Sequence, residues 1–420
     1  MDQTNSVAEE IKAAQYQART IYNEILSLKS KTQNCTMQSA SKVITPIPRN
    51  SCNLKLYNTL SGHHNKIAKL VWSADSTKVL SASQDGYMII WDPITGFKKQ
   101  AIQLENTWVL TCSYSADEKL AASGGLDNVC TIYKIKPDTT TNPVAHRGGA
   151  YQVQNQGFYQ KVESVFKGHT AYISDCEFID NSSIVTGSGD MTCALWDVTK
   201  GSKVRDFIDH VSDVLCLTIF PRSIFSTNVF ISGSADGYAK IWDLRSPTPA
   251  QNFFISNSDV NSLKVFPEGN GFATGSDDGL IRLFDLRSDC ELSTYNLSVQ
   301  LRHQGPEGIP QLTPNMIAQE SKRKGNQPFS ATGDWGSTNN SVFSLLENQG
   351  IYSLDFGKSG RFLYGCYSEQ GCIVWDTLKN EIVGSVGNDH NNKINQVSVS
   401  PDGVALATGS WDTTIKIWSV

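Results

Sequence analysis

Short runs of alternating apolar and polar residues fill most of this 420-residue chain. They carry β-branched and aromatic side chains and are bounded by Gly, Asp, Ser and Asn, the pattern of strands joined by tight turns. The first thirty residues break it. No Gly or Pro occurs from 7 to 28, and the apolar positions Val7, Ile11, Ala14, Ala18, Ile21, Ile25 and Leu28 are spaced alternately by four and three. That heptad predicts a helix over residues 1–31 with one apolar seam. Glu9, Glu10, Lys12, Gln15 and Arg19 fall on the other face. A helix this short, with two alanines in its seam, is marginal alone, so the seam calls for a helical partner. Residues 32–53 read as a linker, and the strand pattern occupies 54–420.

Within that region one phrase recurs, as SASQDGYMIIWD, TGSGDMTCALWD, SGSADGYAKIWD, TGSDDGLIRLFD and TGSWDTTIKIWS. Each joins an acid-bearing turn to a strand that ends in an aromatic residue. Seven units end at Trp91-Asp92, Tyr133-Lys134, Trp196-Asp197, Trp242-Asp243, Phe284-Asp285, Trp375-Asp376 and Trp418-Ser419. Six residues before each aromatic stands an acid: Asp85, Asp127, Asp190, Asp236, Asp278, Glu369 and Asp412. Most intervals are 42 to 46 residues, the length of one four-stranded propeller blade. An all-β, seven-bladed propeller is expected. An open ring would expose strand edges. Residues 54–57 read as a strand and are expected to complete the last blade.

Four units add a histidine 21 to 26 residues before the acid: His63, His169, His210 and His390. His, Asp and a nearby hydroxyl resemble a catalytic triad, but a nucleophile site occurs once and this set recurs. Repetition points to structure: His63 with Asp85, His169 with Asp190, His210 with Asp236 and His390 with Asp412 are expected to bond, reaching a strand hydroxyl and the Trp N–H. No catalytic residue is assigned and no enzyme activity is expected.

Composition narrows the partners. A net charge of -5 and no long basic stretch argue against nucleic acid. The ten cysteines contain no C-x-x-C pair and, with seven histidines, make no zinc pattern; buried free thiols, no metal and no cofactor are expected. No apolar run approaches the ~20 residues of a membrane span. Charged residues run through the first thirty positions, against a signal peptide, and residues 416–420 hold no prenylation cysteine.

The Trp-Asp endings and period resemble the WD40 β-propellers. Two features narrow this. The second unit lacks Trp-Asp and reads GGLDNVCTIY, and SASQDGYMIIWD, GSGDMTCALWD, FATGSDDGLIRLFDLR and ATGSWDTTIKIW follow in order around it. With the heptad, these look like the β subunits of heterotrimeric G proteins over nearly the whole chain. The resemblance implies an interaction platform. The heptad helix would pair with a lipid-bearing γ subunit, which would hold the complex at the inner face of the plasma membrane. One propeller face would hold a GDP-bound α subunit and be released to effectors after nucleotide exchange. Carried over by motif, that face comprises Lys66, Trp108, Leu110, Leu126, Asn128, Tyr172, Asp213, Leu215, Asp259, Asn261, Asp277 and Trp411. Ala68 stands where the family usually has an aromatic residue, and Glu369 where blade six usually has Asp.

Two insertions interrupt the period. Residues 137–160, rich in Thr, Gly and Gln, separate units two and three; residues 298–346 are polar and broken by Pro306, Pro310, Pro314 and Pro328. Such composition cannot bury a core, so both are expected to be disordered. The larger holds Lys322, Arg323 and Lys324, and Thr313, Ser321, Ser330 and Ser341 as possible phosphorylation sites. A long insertion before blade six resembles the β subunits of yeast pheromone signalling, where the free βγ pair acts through a scaffold and a kinase. The competing reading is a scaffold or substrate-receptor propeller of another class.

Overall fold

A computed structural model describes residues 14–15, 17–24, 27, 41–42, 44–48, 54–136, 161–221, 228–304 and 349–419. Among these, 28 strands form seven antiparallel sheets of four. Blades 1 to 6 span 67–103, 109–167, 173–208, 214–254, 260–296 and 351–386. Blade 7 takes three strands from 394–419 and its outermost from Lys55–Ser61, which pairs antiparallel with Thr414–Ser419. The chain thus closes its own ring; of the expected residues 54–57, residues 55–57 belong to the strand that does so, which runs on to Ser61.

Burial explains the patterning. Third strands lie between neighbouring blades and are covered on both faces, so they read as nearly continuous apolar runs, as in Tyr87–Trp91. Outermost strands meet solvent and alternate, as in Lys98–Gln103. Second strands carry small residues, because the next blade's first strand packs directly on them. A Cβ on Gly275 would stand 2.6 Å from Ile351 Cγ2, and one on Gly409 2.9 Å from Ile67 Cγ2. The first strands surround a central cavity of about 230 Å³ lined by residues from every blade.

The meander has a consequence for function. In each blade the turn between second and third strands and the connection into the next blade emerge at the same end of the ring. The other two turns emerge at the opposite end. Residues 137–160 fall between the third strand of blade 2, Val129–Lys134, and its outermost strand, Val162–Lys167. They interrupt blade 2 at the opposite end rather than separating blades 2 and 3. The larger insertion begins differently from expectation too: Leu297–Gln304 is a helix whose Leu297 is buried. It leaves from the first-named end and returns there at Gly350, where a Cβ would meet Asp277 Oδ1 at 2.5 Å. Thr313, Ser321, Ser330 and Ser341 lie outside the described residues.

The N-terminal unit, residues 1–47, is separate from the propeller. Residues 14–15 and 17–24 are helical, and Ala14, Ala18 and Ile21 are exposed. Val7, Ile11, Ile25 and Leu28 lie outside the described residues. Among the described residues no helix is long and apolar enough to cross a membrane. Of the eight described cysteines, all free, seven are buried and Cys290 is exposed.

Candidate functional site

Four blades carry the same buried hydrogen-bond chain. In blade 4, His210 Nδ1 donates to Asp236 at 2.8 Å, Ser232 hydroxyl meets His210 Nε2 at 2.7 Å, and Trp242 Nε1 donates to Ser232 Oγ at 2.8 Å. The acceptor-only carboxylate fixes the proton on Nδ1. The same chain runs from Asp85 through His63 and Ser81 to Trp91. It runs from Asp190 through His169 and Thr186 to Trp196, and from Asp412 through His390 and Thr408 to Trp418. Burial pushes the Asp236 carboxyl up, but bonds from His210 and the amides of Tyr238 and Val211 outweigh it and hold it at about 2. Each hydroxyl is fully buried and also accepts the Trp N–H, and the set recurs in four blades, as a structural network does. What the chains do is fix the turn that follows: Gly237 has φ +80°, and a Cβ there would stand 2.0 Å from Ser256 O. Asn128 meets the same left-handed demand in blade 2 with φ +63°.

Those turns, with the connections between blades, present the residues implied by the family resemblance, all at one end of the ring. Trp108 is 56% exposed, and it is the one exposed tryptophan among the described residues. Its backbone is fixed by Asn106 Oδ1, which accepts its N–H at 2.9 Å, and by Leu126 N–H, which donates to its carbonyl at 3.1 Å. Leu126 is exposed beside it. Asn128 donates to Thr170 O at 3.2 Å, joining blade 2 to the loop that carries Tyr172. Tyr172 packs over Gly189, where a Cβ would stand 2.4 Å from the ring, and donates to Asp213 at 2.8 Å. Burial, then that bond to Asp213, lifts its phenol to about 12.

Charge is divided across this end. Towards blades 7 and 1 the Lys66 ammonium sits 3.8 Å from the Trp411 ring centroid, with Lys393 at 5.8 Å. Towards blades 4 and 5 are Asp213, Asp259 and Asp277. Burial, then repulsion from Asp277 and Asp213, raises the Asp259 carboxyl. Asn261 donates to Asp277 at 2.5 Å. Leu110, Leu215 and Asn261 line the central cavity, as does Ala68. Deeper in that cavity Lys69 pairs with Asp175, whose Oδ2 accepts Leu217 N–H at 3.0 Å. Burial lifts the neighbouring Glu177 carboxyl to about 7 against the pull of Lys69. Among the described residues no His, Cys, Asp and Glu group could hold a metal.

Two features escaped the sequence reading. In blade 5, Arg282 takes the role of the missing histidine, donating to Asp278 at 2.7 Å and Ser276 at 3.0 Å. In blade 6, Lys393 reaches across from the next connection to pair with Glu369 at 2.7 Å.

Known proteins with this pattern are G protein β subunits. The family described as G protein beta WD-40 repeat protein matches residues 8–301, and the WD domain, G-beta repeat, matches 383–419. The guanine nucleotide-binding protein subunit beta of Saccharomyces cerevisiae is 43% identical over 99% of this chain and 92% of its own length. Those of Dictyostelium discoideum and Lymnaea stagnalis are 39% and 40% identical over 99% and 98% of this chain and their entire length. Repeat number, ring closure and full-length similarity agree: this chain belongs to the β subunits of heterotrimeric G proteins.

Proposed function

We propose that the chain forms an obligate pair with a γ subunit, holds GDP-bound α on the end that carries Trp108, and signals to effectors once α is released. The rigid, bipolar face carries this reading. It has aromatic anchors, Trp108 and Tyr172, fixed by hydrogen bonds and packing, with a cationic side at Lys66 and an anionic side at Asp213, Asp259 and Asp277. Interfaces concentrate their energy in such anchors inside a polar rim. Lys66, Leu110, Leu126, Asn128, Leu215, Asn261 and Trp411 complete the contact set. The γ subunit takes the helix seam at Val7, Ile11, Ala14, Ala18, Ile21, Ile25 and Leu28. Its lipid holds the complex at the inner face of the plasma membrane.

The pathway is a fungal mating-pheromone response, with a scaffold or kinase as effector. Similarity to the Saccharomyces cerevisiae subunit and the long insertion before blade 6 support it. Thr313, Ser321, Ser330 and Ser341 are its candidate phosphorylation sites, since a phosphate adds about -1.5 to -2 charge beside the basic triplet.

The test is co-purification with γ and α. The wild type should retain both with GDP and release α with a GTP analogue. Ile21→Asp with Ile25→Asp should lose γ, because two carboxylates would enter the apolar seam unpaired. A folded double variant that keeps γ refutes the seam.

A further inference from the structure

Three apolar side chains stand exposed on the outer rim where blade 4 faces blade 3: Val211 (78%), Tyr238 (38%) and Phe254 (55%). Tyr238 and Phe254 are cross-strand partners with ring centroids 5.4 Å apart at 63°. Asp236 binds the amides of both Val211, at 3.1 Å, and Tyr238, at 2.9 Å. Lys240, beneath the Tyr238 ring, pairs with Asp209, which follows Ile208. The strip is therefore held rigid by the same turn acid that orders blade 4.

Its apolar character is local. Phe254 stands opposite Tyr238, the first residue of a third strand. At that register blades 1, 2, 5 and 7 place Gln103, Lys167, Asn296 and Ser61. Fold does not require an apolar residue there, since four blades do without one. An exposed aromatic pair with an exposed valine on the same turn acid marks a contact surface.

The strip also has a direction. Val211 lies two residues before Asp213, so its inner end runs into Asp213, Asp259 and Asp277. Among the described residues none of these three acids is in an ion pair, and Asp259 is raised by its crowded neighbours. A partner that covers the strip and continues inward must bring positive charge.

We propose that this strip is an effector-docking site, recognising an amphipathic helix with large apolar residues along one face and Lys or Arg at its inner end. The effector is the occupant because the residues assigned to α end at Asp213 and leave the strip uncovered. The effector helix can thus sit on the rim while α is bound, and its basic end reaches the acids when α leaves. This rests on the α-binding reading above.

The probe is a fluorescein-labelled 18-residue synthetic helix with Leu and Phe on one face and three Lys at one end. It is titrated by anisotropy against the βγ pair and the GDP-bound heterotrimer. Binding to both is expected, about tenfold tighter to free βγ. Tyr238→Ser with Phe254→Thr should weaken binding to both at least tenfold while leaving α affinity unchanged, the check that the propeller is intact. Replacing the three Lys by Glu should erase the advantage of free βγ. Equal binding by wild type and variant, or no binding by either, overturns the site. Binding to βγ but not to the heterotrimer overturns co-occupancy with α. If GDP-bound α fails to bind βγ at all, the α-binding reading fails, and the variant's effect on βγ alone still decides the strip.

Discussion

Blades 1, 3, 4 and 7 complete the Asp–His–hydroxyl–Trp chain; blades 5 and 6 each keep half of it, and different halves. In blade 5 the hydroxyl remains as Thr274, but the aromatic is Phe284, and Thr274 Oγ1 has no partner. In blade 6 the tryptophan remains as Trp375, but Gly365 stands where the hydroxyl belongs, and Trp375 Nε1 has only the Tyr367 phenol near it, outside good hydrogen-bond geometry. Buried groups left in this way cost stability. Both blades recover order elsewhere. Arg282 ties the blade 5 turn, while Arg361 pairs with Asp376 at 3.1 Å and Tyr295 donates to Thr377 O at 2.9 Å around blade 6. The large insertion occupies the connection between these two blades, where blade 6 would have carried its histidine. The chain is thus a removable local device, and losing it leaves the ring closed.

The comparison can be broken by substitution. Asp236→Ala removes the acceptor of His210, Val211 and Tyr238, and should cost about 3 kcal/mol by chemical denaturation. Because the folded Asp236 carboxyl is held at about 2, below its unfolded value near ~3.9, its contribution is present at neutral pH and is lost as pH falls. The gap between wild type and variant should narrow from pH 5 towards pH 3; a constant gap would mean that the carboxylate charge is not what matters.

Next in size is a matched pair. Trp242→Phe removes the N–H that Ser232 accepts and should cost about 1–2 kcal/mol, whereas Trp375→Phe breaks no well-formed hydrogen bond and should cost less. Equal losses in the two denaturation midpoints would show that aromatic packing, not the hydrogen bond, separates the blades. Smallest is Thr274→Val, which replaces an orphaned hydroxyl by a methyl and should gain up to about 1 kcal/mol. A loss would mean that water or a distant group satisfies Thr274.

Period and patterning made much of this legible in the chain itself. The recurring Trp-Asp phrases gave seven blades, residues 54–57 gave the closure, and the His–Asp spacing pointed to pairs that the structure brings within hydrogen-bond distance. Other features lay beyond one-dimensional spacing. Whether residues 137–160 precede or follow a strand depends on Val162–Lys167, whose mixed polar run is a weak signal. Arg282 replaces a histidine from a different segment, so no alignment of units reveals it. Helix 297–304 lies inside a stretch whose polarity suggested disorder. The rim strip is invisible until exposure is known, because Tyr238 and Phe254 read as ordinary strand residues.

The tetrads buttress the propeller, and recognition is the role proposed for the exposed face. Trp242 and Trp108 embody the two roles, one fully buried and one open. Titration calorimetry of GDP-bound α into the βγ pair separates them most directly. Trp108→Ala should weaken α binding by about 2 kcal/mol or more, as expected of a central anchor, with γ pairing and the denaturation midpoint unchanged. Unchanged α affinity in that variant would contradict the assignment of this face.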